Sequence, residues 1–226
     1  MWSSIGHWLL AGRCALCLAP ARAGLCPGCL GDLPRLGPAC ARCARPLANP
    51  TSLCGACQRR APLVSAVHAP FRYAAPLDHL IQGLKFRAQI QHARGLGRLL
   101  AEHLDTRRSE PWPELIVPVP LHPARLRGRG YNQALELARP AARHLALPLV
   151  ADACRRIRPT AQQTGLSAKA RRANVRGAFE LARPLPARHV AVVDDVMTTG
   201  HTLEAMAEAL LRAGVERVEA WVLARA

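Results

Sequence analysis

The 226-residue chain is poor in aromatics, poor in acids and without a long apolar run. Its nine aromatic side chains, four Trp, two Tyr and three Phe, are too few and too scattered to build a platform on which unpaired bases stack. No apolar stretch reaches the roughly 18 residues that a membrane helix needs. The "WLLA" at residues 8–11 is too short for a signal-peptide core and lacks a basic flank. No membrane insertion and a cytoplasmic location are therefore expected. GxxxxGK(S/T) is absent, and no GxGxxG follows a strand, which disfavours P-loop NTPases and ordinary dinucleotide folds.

Acids are outnumbered 15 to 31 by basic residues, for a net charge of +16, and lysine is nearly missing: Lys85 and Lys169 are the two. Such a charge suits an anionic partner such as DNA or a polyphosphate. Its arginine bias is equally consistent with a GC-rich coding sequence, and no dense basic block accompanies it.

What the chain does have is cysteine, concentrated at one end. Eight of the nine lie before residue 58 as four CxxC pairs: Cys14/Cys17, Cys26/Cys29, Cys40/Cys43 and Cys54/Cys57. Each pair can bring two thiolates to one tetrahedral metal, and zinc is the usual occupant of four-cysteine sites. Redox CxxC chemistry would need one such motif beside a thioredoxin-like fold. Consecutive pairs give two sites of up to two structural zinc ions, and interleaved pairing is the alternative that spacing leaves open. Residues 1–60 carry one acid, Asp32, and little apolar periodicity, so this segment is expected to fold only on its metal. Cys154 stands apart and reads as a buried small hydrophobe rather than a nucleophile.

From residue 61 the pattern changes. Leu77, Leu80, Ile81 and Leu84, then Leu96, Leu99, Leu100 and Leu104, fall at helical spacing. "ELIVPVPL" is a short strand ended by prolines. "HPARLRGRGYNQALELA" is a basic loop running into a helix that Pro140 should kink or break. "RHVAVVDDV" is apolar throughout, like a strand buried on both faces. "TLEAMAEALLRAG" is a helix with Glu204 in its first turn, Arg212 in its last and Gly214 beyond it, and "VERVEAWVLARA" is a final strand. Strands alternating with helices imply a mostly parallel sheet that binds ligands beyond its strand C-termini.

There, "VVDDVMTTGHT" supplies Asp194 and Asp195, followed by Thr198, Thr199, Gly200, His201 and Thr202. A small polar loop feeding a helix N-terminus holds phosphate through backbone N–H groups and hydroxyls. Two carboxylates beside it would repel phosphate but can accept hydrogen bonds from the adjacent hydroxyls of a sugar. A ribose 5-phosphate unit satisfies both.

This string is similar to the phosphoribosyl pyrophosphate (PRPP) signature of type I phosphoribosyltransferases. With "VPVPLHPARLRGRGYNQ", "PTAQQTGLSAKARRANVRGAF" and the CxxC array, the chain resembles the ComF family of competence-associated, amidophosphoribosyltransferase-like proteins. The resemblance implies an α/β fold: a parallel sheet flanked by helices over residues 61–226, preceded by a double zinc ribbon over residues 1–60. It also implies that Asp194 and Asp195 hold the ribose hydroxyls and that Thr198, Thr199, Gly200, His201 and Thr202 cradle the 5-phosphate. Arg127, Arg129 and Gly130 match the loop that contacts pyrophosphate. Asn132 and Gln133 belong to the same block, and they read equally well as polar residues of a helix N-terminus. Residues 160–172 match a mobile loop over PRPP, where Lys169 would meet departing pyrophosphate. Mg²⁺ would accompany PRPP.

Two functions follow from the resemblance. One is transfer of the phosphoribosyl group to an unidentified nitrogenous acceptor. The other is DNA handling in natural competence, with PRPP as a regulatory or vestigial ligand and with DNA or a helicase-type protein as partner. Glutamine amidotransfer is disfavoured, since every early cysteine sits in a CxxC pair. If the two parts are independent, Asp195→Asn should weaken PRPP binding without unfolding, and zinc removal should spare the ligand site.

Overall fold

The computed structural model describes residues 12–21, 24–49, 53–108, 110–158 and 177–226. The expected mobile loop with Lys169 lies outside the described residues.

The framework is a five-stranded parallel sheet. It is built from β1 (Ala66–His68), β2 (Phe71–Arg72), β3 (Leu115–Pro118), β6 (His189–Met197) and β7 (Arg217–Arg225). The order is β1-β7-β6-β3, with β2 also pairing with β7, and β6 and β7 are the long central strands. Both are buried almost throughout, which is why they read as continuous apolar runs. A short antiparallel pair, β4 (Cys154–Arg156) and β5 (Phe179–Leu181), lies apart from this sheet.

Each face has its own core. On one, Ala191 and Val193 of β6 and Trp221 of β7 pack under helices α3 (Leu77–Phe86), α4 (His92–Asp105) and α6 (Gln133–Leu145). On the other, Val190 and Val192 pack with α7 (His201–Arg212), Cys154 and Phe179. Cys154 is buried there, and burial pushes its thiol up to about 12, as suits a small hydrophobe and not a nucleophile.

Two local expectations need correction. The basic stretch after "VPVP" is not a loop: residues Pro123–Arg129 form helix α5, with Pro at its start and Gly130 ending it at φ 83°. Pro140 does not break α6, which runs on to Leu145. The reason lies in the partner helix. A Cβ at Gly97 of α4 would meet the Leu137 carbonyl oxygen at 2.4 Å and Pro140 Cγ at 2.5 Å, so the proline ring fills a contact that glycine leaves open. Gly97→Ala should therefore cost roughly 1–3 kcal/mol in denaturant unfolding by overpacking this crossing; an unchanged midpoint would show that the two helices separate freely.

The N-terminal cysteines fold as a repeat. In each half a CxxC turn is followed by a residue at positive φ, Leu18 (65°) and Ala44 (52°), inside short antiparallel bridges Arg13–Pro20 and Ala39–Pro46. The second CxxC of each half opens a short helix, α1 (Pro27–Gly31) or α2 (Gly55–Arg59), with Cys26 or Cys54 as N-cap. The two halves rest on different cores: Leu33 is buried with α3 and α4, Ala44 with β6 and α7.

Candidate functional site

The C-terminal ends of β3 and β6 open on a cavity of about 780 Å³. Its lining includes Tyr73, Lys85, Arg125, Arg129, Gln133, Arg156, Asp194, Asp195, Thr198 and Thr202. That is the edge of a parallel sheet where ligands bind.

The two acids are not at the end of their strand. β6 continues to Met197, so Asp194 and Asp195 sit within it. Successive side chains on a strand turn to opposite faces, and the pair is split accordingly. Asp195 is 3% exposed and its Oδ1 lies 2.9 Å from Lys85 Nζ, at the end of α3. Burial works against the Lys85 ammonium, but the charge and hydrogen bond of Asp195, with Asp194 behind, hold its pKa above the usual lysine range. Asp195 Oδ2 is buried without a hydrogen-bond partner among the described residues.

Asp194 is half-buried. Burial first, then the charge of Asp195, push its carboxyl well above the usual carboxylate range. In linkage terms the protonated acid's contribution to stability is complete below the ordinary carboxylate range and is lost as pH rises through the raised native value. Unliganded protein should thus lose stability as pH climbs through that interval, and in Asp194→Asn this slope should vanish.

Helix α5 explains which arginines reach the site. Arg125 and Arg129 are one turn apart and share a face, so both line the cavity. Arg127, expected from the sequence, lies two residues round the helix and is not part of the lining. Arg129 donates to Gln133 Oε1 and stands 5.6 Å over the Phe86 ring. Arg156, on β4, adds a third guanidinium. Burial, then Arg125 nearby, lowers its pKa to about 10, which leaves it cationic at neutral pH. Gln133 therefore belongs to the cavity, whereas Asn132 caps α6, accepting from the Ala134 N–H at 3.0 Å and donating to the Val119 carbonyl at 3.0 Å.

Thr198 and Thr202 line the cavity; Thr199, Gly200 and His201 are not in its lining. Gly200 is the N-cap of α7 at φ 84°, a conformation that favours glycine, and a Cβ there would also displace the flexible end of Met197, whose Cε lies within 2.5 Å of it. Thr199 Oγ1 and His201 Nδ1 bond to each other at 3.0 Å. Glu204, in the first turn of α7, is turned away to accept from the Leu63 N–H at 3.1 Å, which keeps its charge off the loop.

The metal centres resolve the pairing of the cysteines. Cys14, Cys17, Cys26 and Cys29 form one cluster and Cys40, Cys43, Cys54 and Cys57 the other, with the sulfurs of each within 4.8 Å of one another. Consecutive pairs thus share a site, and interleaving is ruled out. Tetrahedral zinc with Zn–S near 2.3 Å sets sulfurs about 3.8 Å apart. The Cys17–Cys26 and Cys43–Cys54 separations of 3.5 and 3.7 Å fit it. Four thiolates close each site to substrate, so the zinc these clusters suit is structural.

Lys85, Arg125 and Arg156 are the site residues that sequence reading does not assign. The scarcity of lysine is the one available signal for the first. Among the described residues no helix is long and apolar enough to cross a membrane.

Comparison with known proteins matches two families: Phosphoribosyl transferase domain over residues 132–226 and Double zinc ribbon domain over residues 5–58. Over 223 residues the chain is 40% identical to Competence protein F of Haemophilus influenzae, covering 95% of this chain and 97% of that protein. It is 38% identical over 227 residues to DNA utilization protein YhgH of Escherichia coli K12, covering 98% and 92%. The crystal structure of TT1426 from Thermus thermophilus is 18% identical, with a TM-score of 0.33 over 58% of this chain and 83% of that one.

Proposed function

The chain belongs to the ComF family, in which a double zinc ribbon precedes a phosphoribosyl transferase domain, and on that premise we propose that its cavity binds PRPP. The observation that carries this reading is an unmet buried acceptor in the cavity lining. Asp195 Oδ2 is a buried acceptor without a partner among the described residues, beside a second acid and two cavity-lining threonines. An orphaned buried carboxylate oxygen costs free energy until a donor reaches it, and ribose hydroxyls are such donors. The 5-phosphate then meets Thr198, Thr202 and the N-terminal N–H groups of α7, with Thr199, Gly200 and His201 shaping that turn. The pyrophosphate meets Arg125, Arg129 and Arg156, and Lys169, outside the described residues, is proposed as a further cation for it.

Magnesium fits this donor set as a passenger of PRPP. Asp195 Oδ1 is taken by an ammonium, which would repel a directly bound dication. Bound with PRPP rather than to this carboxylate, magnesium would supply charge neutralisation on the pyrophosphate. The reaction proposed is displacement at ribose C1: the bond to pyrophosphate oxygen breaks as the acceptor nitrogen bonds, and the arginines stabilise the leaving charge. Residues 1–60 are read as the ribbon unit and 61–226 as the transferase unit, in a cytoplasmic protein.

A second reading draws on the relatives' names and on the charge of +16. Here the protein serves DNA uptake or utilization, contacts DNA or a helicase-type partner, and uses PRPP as a regulatory ligand. The two readings separate in one assay: pyrophosphate release on adding a nucleobase or amine selects transfer, while salt-sensitive DNA binding without turnover selects the second. Under both, Asp194→Asn should weaken Mg–PRPP binding about 10-fold or more in equilibrium dialysis, with the fold intact by circular dichroism. Unchanged affinity would remove Asp194 from the site.

A further inference from the structure

The last residue of β7 joins the second cysteine cluster to the loop that ends β6. Arg225 is 5% exposed, and Nε and Nη1 of its guanidinium donate to main-chain oxygens. Nε donates to Cys43 at 3.2 Å; Nη1 donates to Met197 at 3.0 Å and also to Thr198 and Ala226. Met197 and Thr198 open the Thr-Thr-Gly turn, and Cys43 is a ligand of the Cys40–Cys57 cluster. The main chain repeats the link, since the Ala226 N–H donates to the Met197 carbonyl at 3.0 Å and Ala44, next to Cys43, is buried in the core under α7.

The charges make this more than packing. Zinc held by four thiolates carries a net negative charge, and a buried cation beside it is compensated in a way that no carboxylate supplies. A guanidinium held by that cluster presents its remaining N–H groups in one fixed fork, and the loop carbonyls are ordered by it. Among the described residues the first cluster has no such strap: Ala15, Leu16, Leu25 and Leu30 around it pack on the opposite core, with α3 and α4.

We propose that Arg225 is a positioning residue through which metal in the Cys40–Cys43–Cys54–Cys57 cluster orders the phosphate loop, so that zinc occupancy of this cluster and affinity for the phosphoribosyl ligand are coupled. The ligand half of this statement rests on the PRPP reading above; the ordering half does not. Coupling of this kind is reciprocal, so the ligand should also slow zinc loss from the second cluster.

The test is amide hydrogen exchange, followed by mass spectrometry, on five full-length proteins prepared with zinc: wild type, Cys17→Ser, Cys57→Ser, Arg225→Met and Arg225→Lys. Exchange of residues 197–203 should rise about 10-fold in Cys57→Ser and in Arg225→Met and stay at the wild-type level in Cys17→Ser. Arg225→Lys keeps the charge without the fork and should behave like Arg225→Met. General destabilisation would instead open the loop in both cysteine variants alike, and that result overturns the proposal, as does a protected loop in Cys57→Ser. If Arg225→Met fails to fold, the two cysteine variants still decide. Calorimetry with Mg–PRPP on the same proteins should find affinity about 10-fold lower in Cys57→Ser than in Cys17→Ser. Should wild type take up no PRPP, the ligand reading fails while the exchange pattern still decides the ordering role.

Discussion

Lys85→Met is expected to lower folding stability by about 3–5 kcal/mol, the cost of leaving a buried charge without its partner. Asp195 has Oδ1 on Lys85 and the Val196 N–H and Oδ2 without a partner among the described residues, so removing the ammonium leaves a carboxylate charge at 3% exposure with one backbone donor and no counter-ion at hydrogen-bond distance. The Lys85 side chain is 22% exposed, so solvent screens the pair only in part. Because the native lysine pKa is raised, the pair's contribution is complete below the ordinary lysine range and is lost only as pH rises through the higher native value; at neutral pH it is intact. Urea unfolding at pH 7 should therefore show a lower midpoint with an unchanged slope, and Lys85→Met combined with Asp195→Leu should recover most of the loss. A shift below about 1 kcal/mol would mean that the pair behaves as an exposed one. The same geometry corrects the expectation for Asp195→Asn. That substitution weakens a buried ion pair as well as a ligand contact, so its effect on affinity is mixed with an effect on folding, and Asp194→Asn is the cleaner probe of the ligand.

The second large effect is that of metal removal. Metal analysis should return two zinc ions per chain, one for each four-cysteine cluster. Structural zinc contributes on the order of 10–16 kcal/mol to the fold of a small module. Among the described residues of 12–58 the local framework is slight: helices α1 and α2 have five residues each, and the buried side chains within the second cluster's own core are cysteines. A strong chelator should abolish amide protection across both knuckles. The loss should not stop there. Leu33 and Ala44 are buried in the two cores of the sheet, and the Arg72 N–H donates to the Pro34 carbonyl at 2.8 Å, so the melting temperature of the remainder should fall too. Persistence of protected knuckles without metal would contradict this account of the N-terminal segment.

The helices, the buried strands and the four CxxC pairs are legible in the sequence because each rests on local spacing. Leu80, Ile81 and Leu84 declare a helix face without reference to anything distant. The acid pair and the Thr-Thr-Gly turn are legible for the same reason. What stays hidden depends on pairs far apart in the chain. Lys85 meets Asp195 across 110 positions, and Arg225, which reads as the tail of a strand, meets Cys43 across 182. The exchange of Arg127 for Arg125 has a local cause: a run rich in Gly and Arg reads as loop, and only once it winds into α5 does the one-turn spacing select Arg125 and Arg129. Pro140 misleads because the compensation lies on another helix, at Gly97.

The claim on which the rest depends is that the cavity holds a phosphoribosyl group. Its most direct test is a calorimetric titration of Mg–PRPP into the zinc-loaded full-length protein, repeated with ribose 5-phosphate as competitor. The account predicts saturable binding that ribose 5-phosphate displaces and that strengthens as pH rises through the raised titration of Asp194, since an ionised carboxylate is the stronger acceptor for ribose hydroxyls. Absence of binding heat over that pH range, with both zinc sites filled, would contradict it.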